Sequence, residues 1–128
     1  ETFWSLWNNN SFIPNPDLGI AQGHDFFHAM GCRLSVHGLE EFYARDYTDA
    51  AIDTIFHRVM DGLQPDEKEI CQFKTAMLVE LGIMDWEKGW AQQYHYGALR
   101  NNNSRMFSTI GPDTGYDSIG DLTTAKNL

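Results

Sequence analysis

The apolar positions change their spacing along the chain, and each change marks an element. Leu18, Ala21, Phe27 and Met30 fit a helical stripe only in part over 17–30, with Asp17 placed to cap the helix and Gly31 to end it. Cys32 to Val36 then alternates with period two, which predicts a short strand with His37-Gly38 at its carboxyl end. Thr48 starts a second helix whose buried stripe is Ile52, Ile55, Phe56 and Val59, and Gly62 ends it. Pro65 is expected at the first position of a third helix, with Asp66, Glu67 and Glu69 at its positive end. Ile70, Phe73, Met77, Leu78, Leu81 and Met84 recur there at three- and four-residue steps.

Trp86 to Gly89 is expected to turn, and Trp90 to Tyr96 to form a second strand. Alternation sends Trp90, Gln92, Tyr94 and Tyr96 one way and Ala91, Gln93 and His95 the other. Asn101 to Gly115 is rich in turn formers and predicts a long irregular segment, after which 121–128 begins a helix. The first sixteen residues, with Asn8-Asn9-Asn10-Ser11 and Pro14-Asn15-Pro16, read as a loop or arm. Strand, helices, strand, loop, helix is an α/β order that favours parallel strands. Two such strands need cover on both faces, so the chain reads as an excerpt of a larger fold.

Composition narrows the function. The 128 residues are 42% hydrophobic and 13% aromatic, enough for a packed core. Nine Lys and Arg against eighteen Asp and Glu give a net charge of −9. That charge argues against nucleic acid and anionic membrane as partners, because both are gripped by Lys and Arg. No run approaches a membrane span, and Glu1-Thr2-Phe3-Trp4 lacks the basic and apolar regions of a secretory signal. Cys32 and Cys71 have no paired spacing, so reduced thiols in a cytoplasmic protein are expected.

Candidate chemistry lies at the strand ends. His24 and His28 share a helix face at i, i+4, but the Glu of HExxH is missing, so packed or solvent-facing roles are expected. His37 ends the first strand, where α/β folds bind ligands, although a hydrogen-bonded structural histidine fits the same position. His95 ends a strand holding two glutamines and two tyrosines. A neutral imidazole there can relay a proton or ligate a metal near neutral pH. Arg100 follows in an Asn-rich loop, where its guanidinium suits a carboxylate held bidentately.

The stretch Gly31-Cys32-Arg33-Leu34-Ser35-Val36-His37-Gly38-Leu39-Glu40 resembles uronate (glucuronate) isomerases. So does Phe73 to Leu81, running on through Glu87-Lys88-Gly89-Trp90-Ala91-Gln92-Gln93. The most specific block is His95-Tyr96-Gly97-Ala98-Leu99-Arg100-Asn101-Asn102-Asn103-Ser104-Arg105-Met106-Phe107, continued by Gly111-Pro112-Asp113-Thr114-Gly115-Tyr116-Asp117-Ser118-Ile119-Gly120-Asp121.

The resemblance implies a (β/α)8 TIM barrel of the amidohydrolase, metal-dependent hydrolase type. Residues 23–128 would form a central, helix-rich part of it carrying barrel strands four and five, and 1–22 a poorly matching arm. It implies aldose–ketose isomerisation between D-glucuronate and D-fructuronate, and between D-galacturonate and D-tagaturonate, by proton transfer between C2 and C1. It also implies a divalent metal, commonly zinc, in the parent enzyme. The HxH pair of the first strand and the Asp of the last strand, which hold most of that metal, are not in this chain, so the segment alone is not expected to hold it. His95 would be the catalytic histidine beside metal and substrate, Arg100 and His37 the substrate-binding residues, and a small-molecule uronate the partner. A homo-oligomer of the parent stays open. The alternative from the residues alone is a non-catalytic α/β module binding acidic sugars through Arg100 and Arg105, inactive in isolation.

Overall fold

The computed structural model describes residues 19–121 and 124–127. The arm read over the first sixteen residues and the cap at Asp17 lie outside them. Among the described residues the order is α1 (Ile20–Ala29), β1 (Leu34–Leu39), α2 (Asp49–Met60), α3 (Glu67–Glu87), β2 (Ala91–Tyr96), β3 (Ala98–Leu99), α4 (Ser104–Ile110) and β4 (Ser118–Ile119). This is a mixed α/β arrangement, as the alternating periods imply.

Two compact units divide the chain. One holds 19–35 and Tyr43–Gln92; the other holds Val36–Phe42 with 93–121 and 124–127. β1 pairs with β2. Ala91 N–H donates to the Arg33 carbonyl at 2.9 Å and Gly97 N–H to the Glu40 carbonyl at 3.2 Å. Both bonds advance in the same sense, so the strands are parallel, and α2 and α3 are the connection between them.

The first unit is built on α2 and α3. Thr48 caps α2 by accepting Ala51 N–H. Past its end Gly62 takes φ 84°, and Leu63 N–H reaches back to the Arg58 carbonyl at 2.9 Å. That left-handed residue lets the chain reverse at little steric cost. Asp66 forms the N-cap of α3, in a reciprocal box with Glu69, so the helix starts at Glu67 and Pro65 lies before it rather than at its first position. The helix then continues to Glu87, taking in the first two residues of the turn expected over Trp86 to Gly89, and Lys88-Gly89 makes the turn.

Ile52, Ile55 and Ala76 make the core, with Tyr47 and Phe73 against it. Burying an isoleucine as fully as Ile52 contributes about 2–3 kcal/mol. Val59, expected in the stripe, is exposed, as are Ile70, Val79, Ile83 and Trp86 on α3. The residues of α3 that are buried are Thr75, Ala76, Met84 and Asp85. Thr75 satisfies its hydroxyl by donating to the Cys71 carbonyl at 2.7 Å and accepting Arg45 N–H at 3.1 Å.

The second unit corrects the expectation of an irregular segment after Asn101. Asn103 accepts Met106 N–H at 3.1 Å and starts the short helix α4. β3 and β4 pair antiparallel, Ala98 with Ile119 and Leu99 with Ser118. The helix expected over 121–128 is a turn in the described residues 124–127, closed by Asn127 N–H on the Thr124 carbonyl at 3.1 Å.

Candidate functional site

Alternation along β2 settles which way each candidate side chain points. Gln92 and Tyr94 are half-buried, whereas Ala91, Gln93 and His95 are exposed on the other face. On β1, Ser35, His37 and Leu39 are half-buried, while Leu34, Val36 and Gly38 are exposed. The His37 ring lies 6.1 Å from that of Tyr94, and Tyr94 packs edge-on against Phe42 at 4.7 Å. Tyr96 meets Phe42 from the same side at 5.4 Å. His37 and His95 therefore project to opposite sides: His37 joins the aromatic cluster, and His95 stands clear of it. Among the described residues His95 has no hydrogen-bond or ring partner, so both imidazole nitrogens remain available.

Gly97, at φ 81°, turns the chain after β2. Its carbonyl accepts Gly120 N–H at 2.7 Å, which ties the end of β2 to the end of the following loop. Arg100 sits at the mouth of that loop and donates through Nη1 to Asp117 Oδ2 at 2.6 Å. The other oxygen of Asp117 accepts Asn101 N–H at 2.9 Å. The Asn101 backbone bond and the Arg100 bond hold the Asp117 carboxyl below the usual carboxylate range, so it is an anion at neutral pH. Asn101 takes φ 56°, and its side-chain oxygen accepts Asp113 N–H at 2.9 Å. Asn102 donates to the Ser118 hydroxyl. An open cleft here is lined by Asn102, Arg105, Tyr116 and Asp117, with neighbours of each.

A different cluster occupies the first unit. Asp85 is almost fully buried and accepts from His24 Nε2 at 2.9 Å and from the Ser35 hydroxyl. Trp90 Nε1–H donates to His28 Nδ1 at 2.9 Å, and its ring lies 4.0 Å from that of His24. The i, i+4 histidines thus fasten α1 to α3 and to the start of β2. Lys88 adds an ion pair with Asp25. Among the described residues no group of three or more His, Cys, Asp or Glu gathers as a metal site. No described helix is long and apolar enough to cross a membrane.

Sequence reasoning named His95 and Arg100 as candidates and did not name Asp117 or Asp85, or the turn at Asn101. Asp117 lies seventeen positions after Arg100, outside any local spacing rule. Asn101 carried a signal, since Asn is among the few residues that accept a left-handed backbone.

A family model described as glucuronate isomerase matches residues 18–128. The uronate isomerase of Bacteroides thetaiotaomicron is 65% identical over 109 residues, covering 85% of this chain and 23% of the relative. That of Cellvibrio japonicus is 57% identical over 105 residues, covering 82% and 22%. Among solved structures, uronate isomerase from Thermotoga maritima is similar with a TM-score of 0.77 and 31% identity, over 86% of this chain and 25% of that one. Glucuronate isomerase from Caulobacter crescentus shares the fold at a TM-score of 0.70 and 23% identity, over 98% and 27%. The chain therefore spans about a quarter of the length of the proteins it matches.

Proposed function

This chain belongs to the glucuronate isomerase family, and we propose that it is part of an aldose–ketose isomerase for uronates to which it contributes His95 and Arg100. The observation that carries the reading is the loop after β2: an arginine held by one guanidinium nitrogen, in a segment knit by its own side chains, close in sequence behind an exposed histidine. A connection with only a structural task has no need of this polar investment.

In the isomerisation a base removes the proton from C2 of the open-chain aldose while the C1 carbonyl oxygen gains a proton, which gives an enediol. Return of a proton to C1 and loss of the one on O2 leave the ketose, so atoms and electrons balance without a redox partner. His95 is assigned the carbon-bound proton: a neutral imidazole both accepts and returns it near pH 7. Arg100 takes the uronate carboxylate with two parallel hydrogen bonds and so fixes C1 and C2. His37 acts from behind β1 and β2, through the Tyr94 and Phe42 cluster, rather than beside His95.

A divalent metal, zinc in this reading, belongs to the parent enzyme. The described residues do not gather a ligand set for it. The substrates are D-glucuronate and D-galacturonate, and a cytoplasmic location goes with that metabolism. The parent fold is a (β/α)8 barrel in which β1 and β2 are neighbouring strands. The exposed face of β1 supports this, because Leu34 and Val36 are 50% and 56% exposed there, which suits branched side chains turned to the interior of a barrel.

The test is Arg100→Lys in the full-length enzyme. A point charge cannot reproduce the planar fork, so KM for glucuronate should rise about tenfold with kcat little changed. An unchanged KM would remove Arg100 from the site.

A further inference from the structure

Asp117 holds both Arg100 and the peptide that follows it. One carboxylate oxygen accepts the Arg100 Nη1–H, and the other accepts Asn101 N–H. The carboxylate is itself delivered from a fixed place. Ser118, its neighbour, is paired with Leu99 in the β3–β4 ladder and accepts from the Asn102 side chain. Arg100 is thus bracketed: Leu99 before it and Asn101 and Asn102 after it are all tied to the segment around Asp117.

The pair is too exposed to serve mainly stability, with 56% of the Arg100 side chain and 30% of the Asp117 side chain open to solvent. Its geometry has a more specific consequence. A guanidinium is planar, so the bond at Nη1 together with the tether at Cδ restricts the orientation of the whole plane. The side-on edge formed by Nε–H and Nη2–H is left without a partner among the described residues, and that edge matches a carboxylate with two parallel bonds. An arginine already immobilised loses little further freedom when a ligand arrives. Asp117 also offsets the charge of Arg100, so the grip depends on direction more than on net charge.

We propose that Asp117 is a positioning residue for the substrate carboxylate, holding Arg100 by Nη1 so that its Nε–Nη2 edge faces the ligand. The inference rests on the reading of Arg100 given above. Its test is Asp117→Asn in the full-length enzyme, which keeps an oxygen for Asn101 N–H but turns an amide donor toward Arg100. KM for glucuronate should rise about 3- to 10-fold, with kcat within about twofold.

In an Arg100→Ala background the same change should move KM by less than about twofold, because there is no guanidinium left to position. An equal rise in both backgrounds would show a structural role and overturn the proposal. Where Asp117→Asn lowers the melting temperature enough to leave the chain unfolded, Asp117→Glu keeps both acceptors and displaces them by one methylene. It should again raise KM only when Arg100 is present. An unchanged KM in the Asp117 variants, with a raised KM in Arg100→Ala, overturns the positioning role alone. An unchanged KM in Arg100→Ala overturns the carboxylate reading beneath it.

Discussion

Asp85 is a carboxylate whose environment is made entirely by neighbours distant in sequence. Ser35 and His24 both donate to it, and the imidazole and carboxylate are shielded from water while Ser35 is half-buried. Asp85→Ala would leave the hydroxyl and the imidazole without their acceptor, at about 1–3 kcal/mol for each group orphaned. A fall of several degrees in the melting temperature of the full-length enzyme, with KM unaltered, is the expected outcome. A variant melting with the parent would show that water replaces the carboxylate.

His28 gives a pH dependence with a definite sign. Desolvation, and then the positive charges of Arg33, Lys88 and His24, hold its pKa below the ordinary 6.5, with Asp25 opposing. The bond from Trp90 agrees, because only an unprotonated Nδ1 can accept it. A histidine kept neutral by folding contributes stability that is complete above 6.5 and is lost as the pH falls through its lower folded value. Trp90 emission, isolated by difference against Trp90→Phe, should therefore change below about pH 6.5. His28→Gln retains a neutral acceptor and should flatten that titration; an unaltered titration would assign it to another group.

At this scale the sequence disclosed some of the site and hid the rest. Period-two alternation was enough to put His95 opposite Tyr94. Nothing local linked Arg100 to Asp117 or His24 to Asp85, since those pairs exist only once the chain has folded.

Elements were legible where their ends are chemical. Thr48, Gly31 and Gly62 mark helix boundaries by side-chain capping or positive φ, and they do so in the structure. The box at Asp66 displaced the start expected at Pro65, because two reciprocal hydrogen bonds outweigh the convenience of a proline. Two elements escaped notice for reasons of size. α4 has seven residues, too few for a periodic stripe, and its Asn103 cap lay hidden in a run of asparagines. β3 and β4 have two residues each, which no alternation can reveal.

Their pairing is sensitive to one glycine. A Cβ on Gly120 would meet Leu99 Cγ at 3.0 Å and the Gly97 carbonyl oxygen at 3.3 Å. Gly120→Ala should cost about 1–3 kcal/mol by overpacking and loosen the Arg100 loop. Faster amide exchange at residues 98–101, with α2 and α3 unaffected, is the expected signature. Unchanged exchange there would mean that Leu99 yields without disturbing the ladder.

The molecule as a whole is where length misleads. A chain of 128 residues has the size of a domain, yet it matches about a quarter of the length of its relatives. The exposed Leu34 and Val36 on β1, and Ile70, Val79, Ile83 and Trp86 on α3, are surfaces that a larger fold would cover. The acidic balance of −9 bears on solubility and partners, not on the fold. Family membership was legible because the stretch from His95 to Asp121 is a long run of asparagine, glycine, arginine and aspartate whose order no helical or strand periodicity would produce.

The central claim is the proposal that His95 carries the proton in an isomerase of which this chain is a part. It is met most directly by assaying full-length enzyme with His95→Ala for conversion of D-glucuronate to D-fructuronate, alongside its melting temperature. Loss of proton transfer should lower kcat/KM by about 10²- to 10⁴-fold. An exposed side chain without partners among the described residues should leave the melting temperature within about a degree. A variant that keeps the parent's kcat/KM would contradict the account.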